Sequence, residues 1–304
     1  MLGPRLLAGT LIVVALAGVL YLDWRAGAAA PLLLVLAGGV LARGSWELLQ
    51  LFRKRPWPLV EPVVFAAVLA VVASNWLVHI EALGGGSLGR PVGPLAWPLF
   101  ALALTAMALF ALQAARYRAA GQAVEVLGCE LFILIYLGLL GSFVVQLRWL
   151  GGNDLGMLAF LSLVATAKGG DIGAYTTGRL VGRRPLAPRL SPNKTIEGAI
   201  GGLFGSVLGG WLVLGLAPPR LFSGMAAAPL VTTLLFGLIV GTVAQVGDLV
   251  ESLVKRDLGS KDSAPLLPGL GGVLDLVDSV LYPAPVAYLF WTCGNVGPLL
   301  AAGR

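Results

Sequence analysis

The chain has 304 residues, of which 58% are hydrophobic and only 12% are charged, and its mean hydropathy is +0.89. Soluble domains usually carry about 25% charged and 45–50% apolar residues, so this composition excludes an ordinary soluble protein and indicates an integral membrane protein. The formal net charge of +6 comes without an aromatic and basic patch of the RNA-binding kind. We attribute the charge to membrane topology and to contact with anionic membrane lipids, and we expect no nucleic-acid partner.

Apolar runs recur along the whole chain, and they predict an all-α, polytopic integral membrane protein. Crossing a hydrocarbon core of about 30 Å takes about 20 apolar residues, and we count about nine such transmembrane helices. The predicted spans are residues 6–22, 31–51, 60–80, 95–115, 126–147, 156–178, 197–217, 229–248 and 279–300. The first span also resembles a signal peptide, because the alanines at 28–30 resemble a cleavage site. We prefer a membrane span there.

The basic residues gather on one predicted side of the membrane. With nine spans, the N-terminus and the even-numbered loops share that side, which then holds the basic stretches at 53–55, 183–194 and 255–261. Loops rich in lysine and arginine stay in the cytoplasm. We therefore expect a multi-pass protein of the cytoplasmic (inner) membrane whose active site faces the cytoplasm.

The polar residues divide the chain into a quiet half and a chemically rich half. Up to about residue 150 the acidic residues, such as Glu47 and Glu130, occur singly near span ends, where a structural role is the simplest interpretation. We interpret residues 1–150 as supporting transmembrane helices and residues 151–304 as the catalytic transmembrane half of a single domain. No internal repeat is evident, which argues against a transporter built from inverted repeats.

The sixth predicted span contains a charged pair, Lys168 and Asp171. Their spacing of three residues places both on one face of a helix. The two side chains could neutralise each other between helices, or they could line a polar cavity. Charged residues inside a membrane span usually mark function, which favours the cavity.

A second polar stretch follows at residues 191–197. Because Pro192 comes directly after Ser191, we predict a helix that starts here with Ser191 as its N-cap. The free N–H groups at a helix start attract anions. The further polar candidates at this end are Asn193, Lys194, Thr195 and Glu197.

The helix predicted over residues 245–256 has one polar face. Asp248, Ser252 and Lys255 recur at a helical spacing, and Gln245 lies just above them. Glu251 is interpreted only as an i, i+4 partner of Lys255. Asp248 is harder to explain as a structural residue, because it sits at the membrane end of the helix.

A glycine-rich loop then leads into two further aspartates, Asp275 and Asp278. They are one helical turn apart, so their carboxylates project together. Carboxylates grouped without histidine or cysteine suit Mg²⁺, and with nearby cations and a membrane location they predict phosphoryl chemistry on a lipid. Glycines allow close approach of a ligand or of a second chain segment. The candidate residues of the loop itself are Lys261, Asp262, Gly271 and Gly272.

In order and spacing these motifs resemble the phosphatidate cytidylyltransferase (CDP-diacylglycerol synthase) family. The family signature runs serine, two residues, Lys-Arg, four residues, Lys-Asp, a Pro-x-His-Gly-Gly loop and Asp-Arg-x-Asp. Here it extends from Ser252 to Asp278, and residues 171–175, 191–197 and 245–248 also match. Two positions depart from it, because Leu270 replaces the histidine and Leu276 replaces the arginine. We expect an active enzyme with an altered loop.

The resemblance implies that CTP and phosphatidic acid react to give CDP-diacylglycerol and pyrophosphate, with Mg²⁺ as cofactor and a second, monovalent cation and a homodimer as further expectations. It implies that Asp248 and Asp275 hold the metal with support from Asp278. The triphosphate or the lipid phosphate would be bound by Lys255, Arg256 and Lys261. A phosphate or the nucleotide would be held by Ser191, Asn193, Lys194 and Thr195. Asp171 and Glu197 would orient those cations. The remaining substrate-binding candidates are Gln245, Ser252, Asp262, Gly271 and Gly272.

Other functions stay open from the sequence. The nearest is a CTP-dependent enzyme on another membrane lipid, such as a polyprenol or phytol kinase or a CDP-archaeol synthase. A CDP-alcohol phosphotransferase fits less well, because its aspartates are spaced four apart. A transporter or an inactive scaffold is opposed by the missing repeats and the intact aspartates, respectively.

Overall fold

The computed structural model describes residues 3–83, 93–222, 224–261, 263–264, 271–294 and 296, with side chains from residue 14 onward except at 80–83. Two of the residues singled out above, Asp262 and Leu270, lie outside these ranges. The described chain is almost entirely helical, which confirms the all-α prediction. Its helices are α1 Gly3–Ala26, α2 Pro31–Phe52, α3 Glu61–Ala73, α4 Ala96–Arg116, α5 Ala123–Ile133, α6 Leu140–Gln146, α7 Asn153–Val181, α8 Ile196–Trp211, α9 Ala217–Leu221, α10 Leu230–Asp257, α11 Leu274–Leu281 and α12 Ala284–Cys293.

Segments of 3₁₀ or π-helix extend or join several of these helices into longer continuous helical stretches. A 3₁₀ segment, Ser74–Leu83, extends α3, and a π-helical segment, Leu134–Leu139, joins α5 to α6. A second π-helical segment, Leu212–Leu216, joins α8 to α9. Two short antiparallel strands, β1 Pro185–Ala187 and β2 Ser191–Thr195, form a hairpin between α7 and α8.

Seven helical stretches of the described chain are long and apolar enough to cross a membrane, so a multi-pass membrane protein is confirmed and the count of nine is not. They are Pro31–Phe52, Glu61–His79, Ala96–Arg116, Ala123–Trp149, Asn153–Val181, Ile196–Leu221 and Leu230–Asp257. The predicted ninth span is interrupted because Pro283 stands between α11 and α12. The ten residues of α12 reach only about 15 Å, half of a hydrocarbon core of about 30 Å.

The chain forms two compact units. The first comprises Met1–Gln146 and Asp262–Leu276, and the second comprises Leu147–Lys261 and Val277–Arg304. The described residues 263–264 and 271–276 therefore belong to the same unit as the N-terminal helices. The predicted division of function at residue 150, within a single domain, stays a prediction.

In the first unit, aliphatic side chains and a few satisfied polar groups fill the space between the helices. Val64, Val68 and Ile133 are fully buried. Ser142 Oγ and Gln146 Nε2 each lie 2.9 Å from the amide group of Asn75, so these buried polar groups compensate one another.

In the second unit, α7 and α8 pack backbone against backbone. A Cβ added at Gly173 would lie 2.3 Å from the Gly201 carbonyl oxygen, and one added at Gly205 would lie 2.2 Å from the Gly169 carbonyl oxygen. Small residues at such crossings let helices approach closely in a membrane. The pairing fixes the ends of α7 and α8 from which the hairpin and several candidate residues extend.

Candidate active site

Three acidic side chains of the second unit form the central cluster of the candidate site. Asp248 and Glu251 lie on α10, and Asp278 lies on α11. One carboxylate oxygen from each can be chosen so that all three lie within 4.8 Å of one another. Glu251 and Asp278 are each only 3% exposed. We call this group the carboxylate cluster.

A glycine lets the two chain segments of the cluster meet. A Cβ added at Gly247 would lie 2.4 Å from the Cβ of Tyr282, just beyond the end of α11. A larger residue at 247 would push the two segments apart. The position next to Asp248 therefore has a structural reason to be glycine.

The negative charges of the carboxylate cluster repel one another. Burial raises the pKa of the Asp278 carboxyl well above its usual range, and repulsion from Glu251 and Asp248 raises it further. The charge of Lys168 and the backbone N–H of Ser279 act in the opposite direction on this pKa. Carboxylates that repel one another in this way are suited to a bound cation.

Two lysines compensate the other members of the cluster. Lys194 Nζ lies 2.5 Å from Asp248 Oδ2, and Lys255 Nζ lies 2.5 Å from Glu251 Oε2. The structure thus brings the predicted residues Asp248, Lys194 and Lys255 together. Glu251 was missed as a site residue, because its spacing from Lys255 had a sufficient local explanation. Its spacing of three from Asp248, which places both on one helical face, was the available signal.

Lys168 and Asp171 form the expected pair, and both also contact Ser279, a residue that the sequence did not single out. Lys168 Nζ donates to Asp171 Oδ2 at 2.8 Å and to Ser279 Oγ at 2.9 Å, and Ser279 Oγ donates to Asp171 Oδ2 at 2.9 Å. Both charged side chains keep more than a third of their surface exposed. The pair does neutralise itself, and it also retains an accessible face beside Asp278.

The predicted helix start at Ser191 is wrong. Ser191 belongs to strand β2, and the helix begins at Ile196 with Thr195 as its N-cap, whose hydroxyl accepts the Gly198 N–H at 3.0 Å. The residue before a proline is driven towards an extended conformation, so Pro192 favours a strand here. Ser191 and Asn193 therefore lie along the hairpin, where Asn193 is exposed.

Glu197 and Arg256 fasten the hairpin at both of its ends. Glu197 accepts the backbone N–H groups of Arg183 and Arg184 at 3.0 and 3.2 Å, and also Arg184 Nε at 2.9 Å. Arg256 Nε donates to the Leu190 carbonyl at 3.1 Å. These contacts position the strand that carries Lys194.

Three other candidates of the second unit have less specific positions. Gln245 Nε2 donates to the Ala199 carbonyl at 3.0 Å, which joins α10 to α8. Ser252 is half-buried on α10, and Lys261 is exposed. Their roles in substrate binding stay predictions.

Asp275 lies in the first unit, where its Oδ2 accepts three hydrogen bonds. They come from Ser263 Oγ at 2.6 Å, Gly272 N at 2.7 Å and Ser263 N at 3.2 Å. Gly271 has a φ of +81°, which glycine adopts without strain. This turn brings the Gly272 N–H to the carboxylate. The assignment of Asp275 as a metal ligand stays a prediction.

The sequence profile of the cytidylyltransferase family matches residues 4–293, and the chain belongs to that family. It is 45% identical over 140 residues to a phosphatidate cytidylyltransferase of Brucella suis biovar 1 (strain 1330), which covers 46% of this chain and 49% of that protein. A phosphatidate cytidylyltransferase of Helicobacter pylori (strain ATCC 700392 / 26695) is 43% identical over 133 residues, which is 43% of this chain and 46% of that protein. The chain thus spans about half the length of these two relatives.

A longer match is found in Pseudomonas aeruginosa (strain PAO1). Its phosphatidate cytidylyltransferase is 35% identical over 264 residues, which is 86% of this chain and 88% of that protein.

Proposed function

We propose that this chain is a phosphatidate cytidylyltransferase of the cytoplasmic membrane. The observation that carries the proposal is the carboxylate cluster of Asp248, Glu251 and Asp278 with Lys194 and Lys255 against it. This combination of acidic and basic side chains suits a substrate that brings phosphates and a divalent cation together. Family membership and the names of the relatives support the same reaction.

The chemistry of the cluster fits Mg²⁺. All of its ligand atoms are carboxylate oxygens, the donors that this hard cation prefers, and no histidine or cysteine belongs to the group. Asp248, Glu251 and Asp278 would hold the ion, with Asp275 as the further predicted ligand. When bound, Mg²⁺ would supply positive charge that screens the phosphates of the two substrates.

The side chains of the protein would bind and orient the reactants. Lys194, Lys255 and Arg256 would bind phosphate oxygens of CTP or of the lipid, and Lys168 would add charge beside Asp278. An oxygen of the phosphatidate phosphate would attack the α-phosphorus of CTP, and the bond from that phosphorus to the pyrophosphate leaving group would break. Because both reactants carry the reacting phosphates, no protein nucleophile is required, and catalysis comes from positioning and charge.

The proposal includes a cytoplasmic active site, as the basic loops indicate. CTP would reach the site from the cytoplasm, and phosphatidic acid would reach it from the bilayer. The monovalent cation and the homodimer remain further parts of the proposal without an observation of their own.

Purified protein in lipid nanodiscs tests the reaction directly. With radiolabelled CTP, Mg²⁺ and phosphatidic acid we expect label in CDP-diacylglycerol and release of pyrophosphate. A lipid kinase would instead release CDP, and offering polyprenol, phytol and an archaeal ether lipid in parallel separates the other acceptors. Incorporation into any of these lipids but not into phosphatidic acid would overturn the proposal.

A further inference from the structure

Glu47, on helix α2, is a buried carboxylate with partners in a distant part of the sequence. The residue has no exposed surface. Its Oε1 accepts Arg43 Nε at 2.9 Å and the Val273 N–H at 3.1 Å. Its Oε2 accepts the Leu274 N–H at 2.9 Å and lies 3.2 Å from Ser263 Oγ. A buried charge is stable only when it is compensated, and three of the four compensating groups belong to Ser263, Val273 and Leu274.

The contact with Leu274 places the negative charge at the start of α11. Val273 and Leu274 provide the first N–H groups of this helix, which have no acceptor within it. A carboxylate at a helix N-terminus also interacts favourably with the helix dipole. Glu47 therefore fixes where α11 begins, although it lies 227 residues away in the sequence from Leu274.

Gly272 allows this contact to form. A Cβ added at Gly272 would lie 2.2 Å from Ser263 Oγ and 2.3 Å from Glu47 Oε2. Any side chain at this position would displace one of the two groups. The glycine is thus explained by the approach of Glu47 as well as by its own N–H, which binds Asp275.

Ser263 connects Glu47 to the candidate catalytic aspartate. Its hydroxyl lies 2.6 Å from Asp275 Oδ2 and 3.2 Å from Glu47 Oε2. The Ser263 hydroxyl has a single proton, which it donates mainly to Asp275 Oδ2. The backbone N–H of Ser263 donates to the same oxygen. Asp275 is held by donors from Ser263 and Gly272, and both of those residues pack against Glu47.

From these contacts we infer that Glu47 is a positioning residue for the reaction and acts through Asp275. It holds Ser263 and the segment 271–275 in the conformation that orients the Asp275 carboxylate. This inference rests on the proposed function, because it assigns Asp275 a part in CDP-diacylglycerol synthesis. Helix α2 would then contribute to the reaction indirectly, by positioning Asp275.

The test compares Glu47→Gln with a matched variant, Glu130→Gln. Glu130 is equally buried in the same unit, and it also accepts a backbone N–H, that of Val60, and an amide, that of Gln113. None of these partners is a candidate site residue. Both substitutions replace a buried carboxyl group with an amide at nearly constant shape, so a general loss of stability would affect the two variants alike.

Activity and backbone hydrogen exchange are measured on the full-length variants in nanodiscs. We expect Glu47→Gln to lower kcat about 10- to 100-fold with little change in KM for CTP, as for other residues that orient a ligand-binding carboxylate. The amides of Val273 and Leu274 should exchange about tenfold faster. Glu47→Asp, which keeps the charge, should restore part of the activity. In the double variant Glu47→Gln with Ser263→Ala, the fold loss in kcat should be smaller than the product of the losses in the two single variants. The two substitutions disrupt the same contact.

The outcomes separate this inference from the proposed function. Wild-type turnover in Glu47→Gln, or an equal loss of kcat in Glu130→Gln, would overturn the positioning role. Unchanged exchange at Val273 and Leu274 would overturn the contact on which the role depends. If the wild-type protein forms no CDP-diacylglycerol, the proposed function and the catalytic role fall together, and the exchange data still decide whether Glu47 holds the segment.

Discussion

Glu251 is one of the two almost fully buried acidic side chains of the carboxylate cluster. It is almost fully buried, it lies 2.5 Å from Lys255, and it is close to both Asp248 and Asp278. A residue that only paired with Lys255 on the surface of a helix would contribute a few tenths of a kcal/mol and would tolerate exchange. Its burial next to two other carboxylates indicates a different role.

Glu251→Gln should raise the Mg²⁺ concentration needed for half-maximal activity by at least about tenfold, because one charged ligand oxygen is lost. A Mg²⁺ titration of CDP-diacylglycerol formation measures this change. Glu125→Gln provides the control, since Glu125 is an exposed glutamate on α5. An unchanged Mg²⁺ requirement in Glu251→Gln would remove the residue from the metal site.

Asp275→Asn should abolish Mg²⁺-dependent CDP-diacylglycerol formation and leave the protein folded. The amide oxygen of asparagine can still accept from Ser263 and Gly272, so the local turn should persist while the charge is lost. Turnover is compared with the thermal unfolding midpoint in the same nanodiscs. Near-normal turnover would show that Asp275 has no part in the chemistry.

The pH dependence of the Mg²⁺ requirement should report on Asp278. Its pKa is raised in the folded protein, so between the ordinary aspartate pKa of about 3.9 and this raised value the native state binds the additional proton. In the absence of a cation, stability therefore falls as the pH rises through this window. Protons and Mg²⁺ compete for the carboxylate, and more Mg²⁺ should be needed as the pH falls. Mg²⁺ titrations at a series of pH values above the ordinary aspartate pKa measure this, and a requirement that stays constant over the whole series would exclude the competition.

At the scale of elements, the contact between α7 and α8 is the most sensitive to added volume. Gly205→Ala would place a methyl group against the Gly169 backbone, which cannot move without separating the helices. We expect a loss of about 1–3 kcal/mol in stability, seen as a lower unfolding midpoint in detergent. Gly128→Ala on α5 has nothing within 4 Å and should be neutral or stabilising. Equal midpoints for the two variants would contradict the close contact.

The sequence predicted elements and local faces better than contacts between them. Helical periodicity placed Asp248, Ser252 and Lys255 on one side of a helix that the structure contains as α10. The strand at Ser191 was missed because a proline after serine fits both a helix start and an extended segment. The proximity of Asp278 to Glu251 depends on tertiary packing, which has no local signal.

The role of Glu47 was beyond the reach of sequence patterns for the same reason. A single glutamate near a span end is ordinary, and its partners at 273 and 274 are more than 200 residues away. Only the fold shows that they meet. The two leucines at 270 and 276 have no structural explanation: Leu270 lies outside the described residues, and Leu276 is a half-buried residue of α11.

At the scale of the whole molecule, the proposed orientation can be tested with two cysteines at opposite ends of one span. The two substitutions are Asn193→Cys and Arg220→Cys. Asn193 is exposed on the hairpin before α8, and Arg220 is exposed at the end of α9. Cys129 and Cys293 are first replaced by alanine. A membrane-impermeant thiol reagent should label residue 193 only in inside-out vesicles and residue 220 only in right-side-out vesicles. The reverse pattern would place the hairpin outside the cytoplasm.

The backbone contact between α7 and α8 has a mechanical consequence. Gly173 meets Gly201 and Gly205 meets Gly169 without side chains, so at these two contacts no change of rotamer could accommodate a different helix spacing. The two helices are therefore expected to move as one rigid unit, together with the hairpin that connects them. A conformational change at the candidate site is therefore expected to involve other helices.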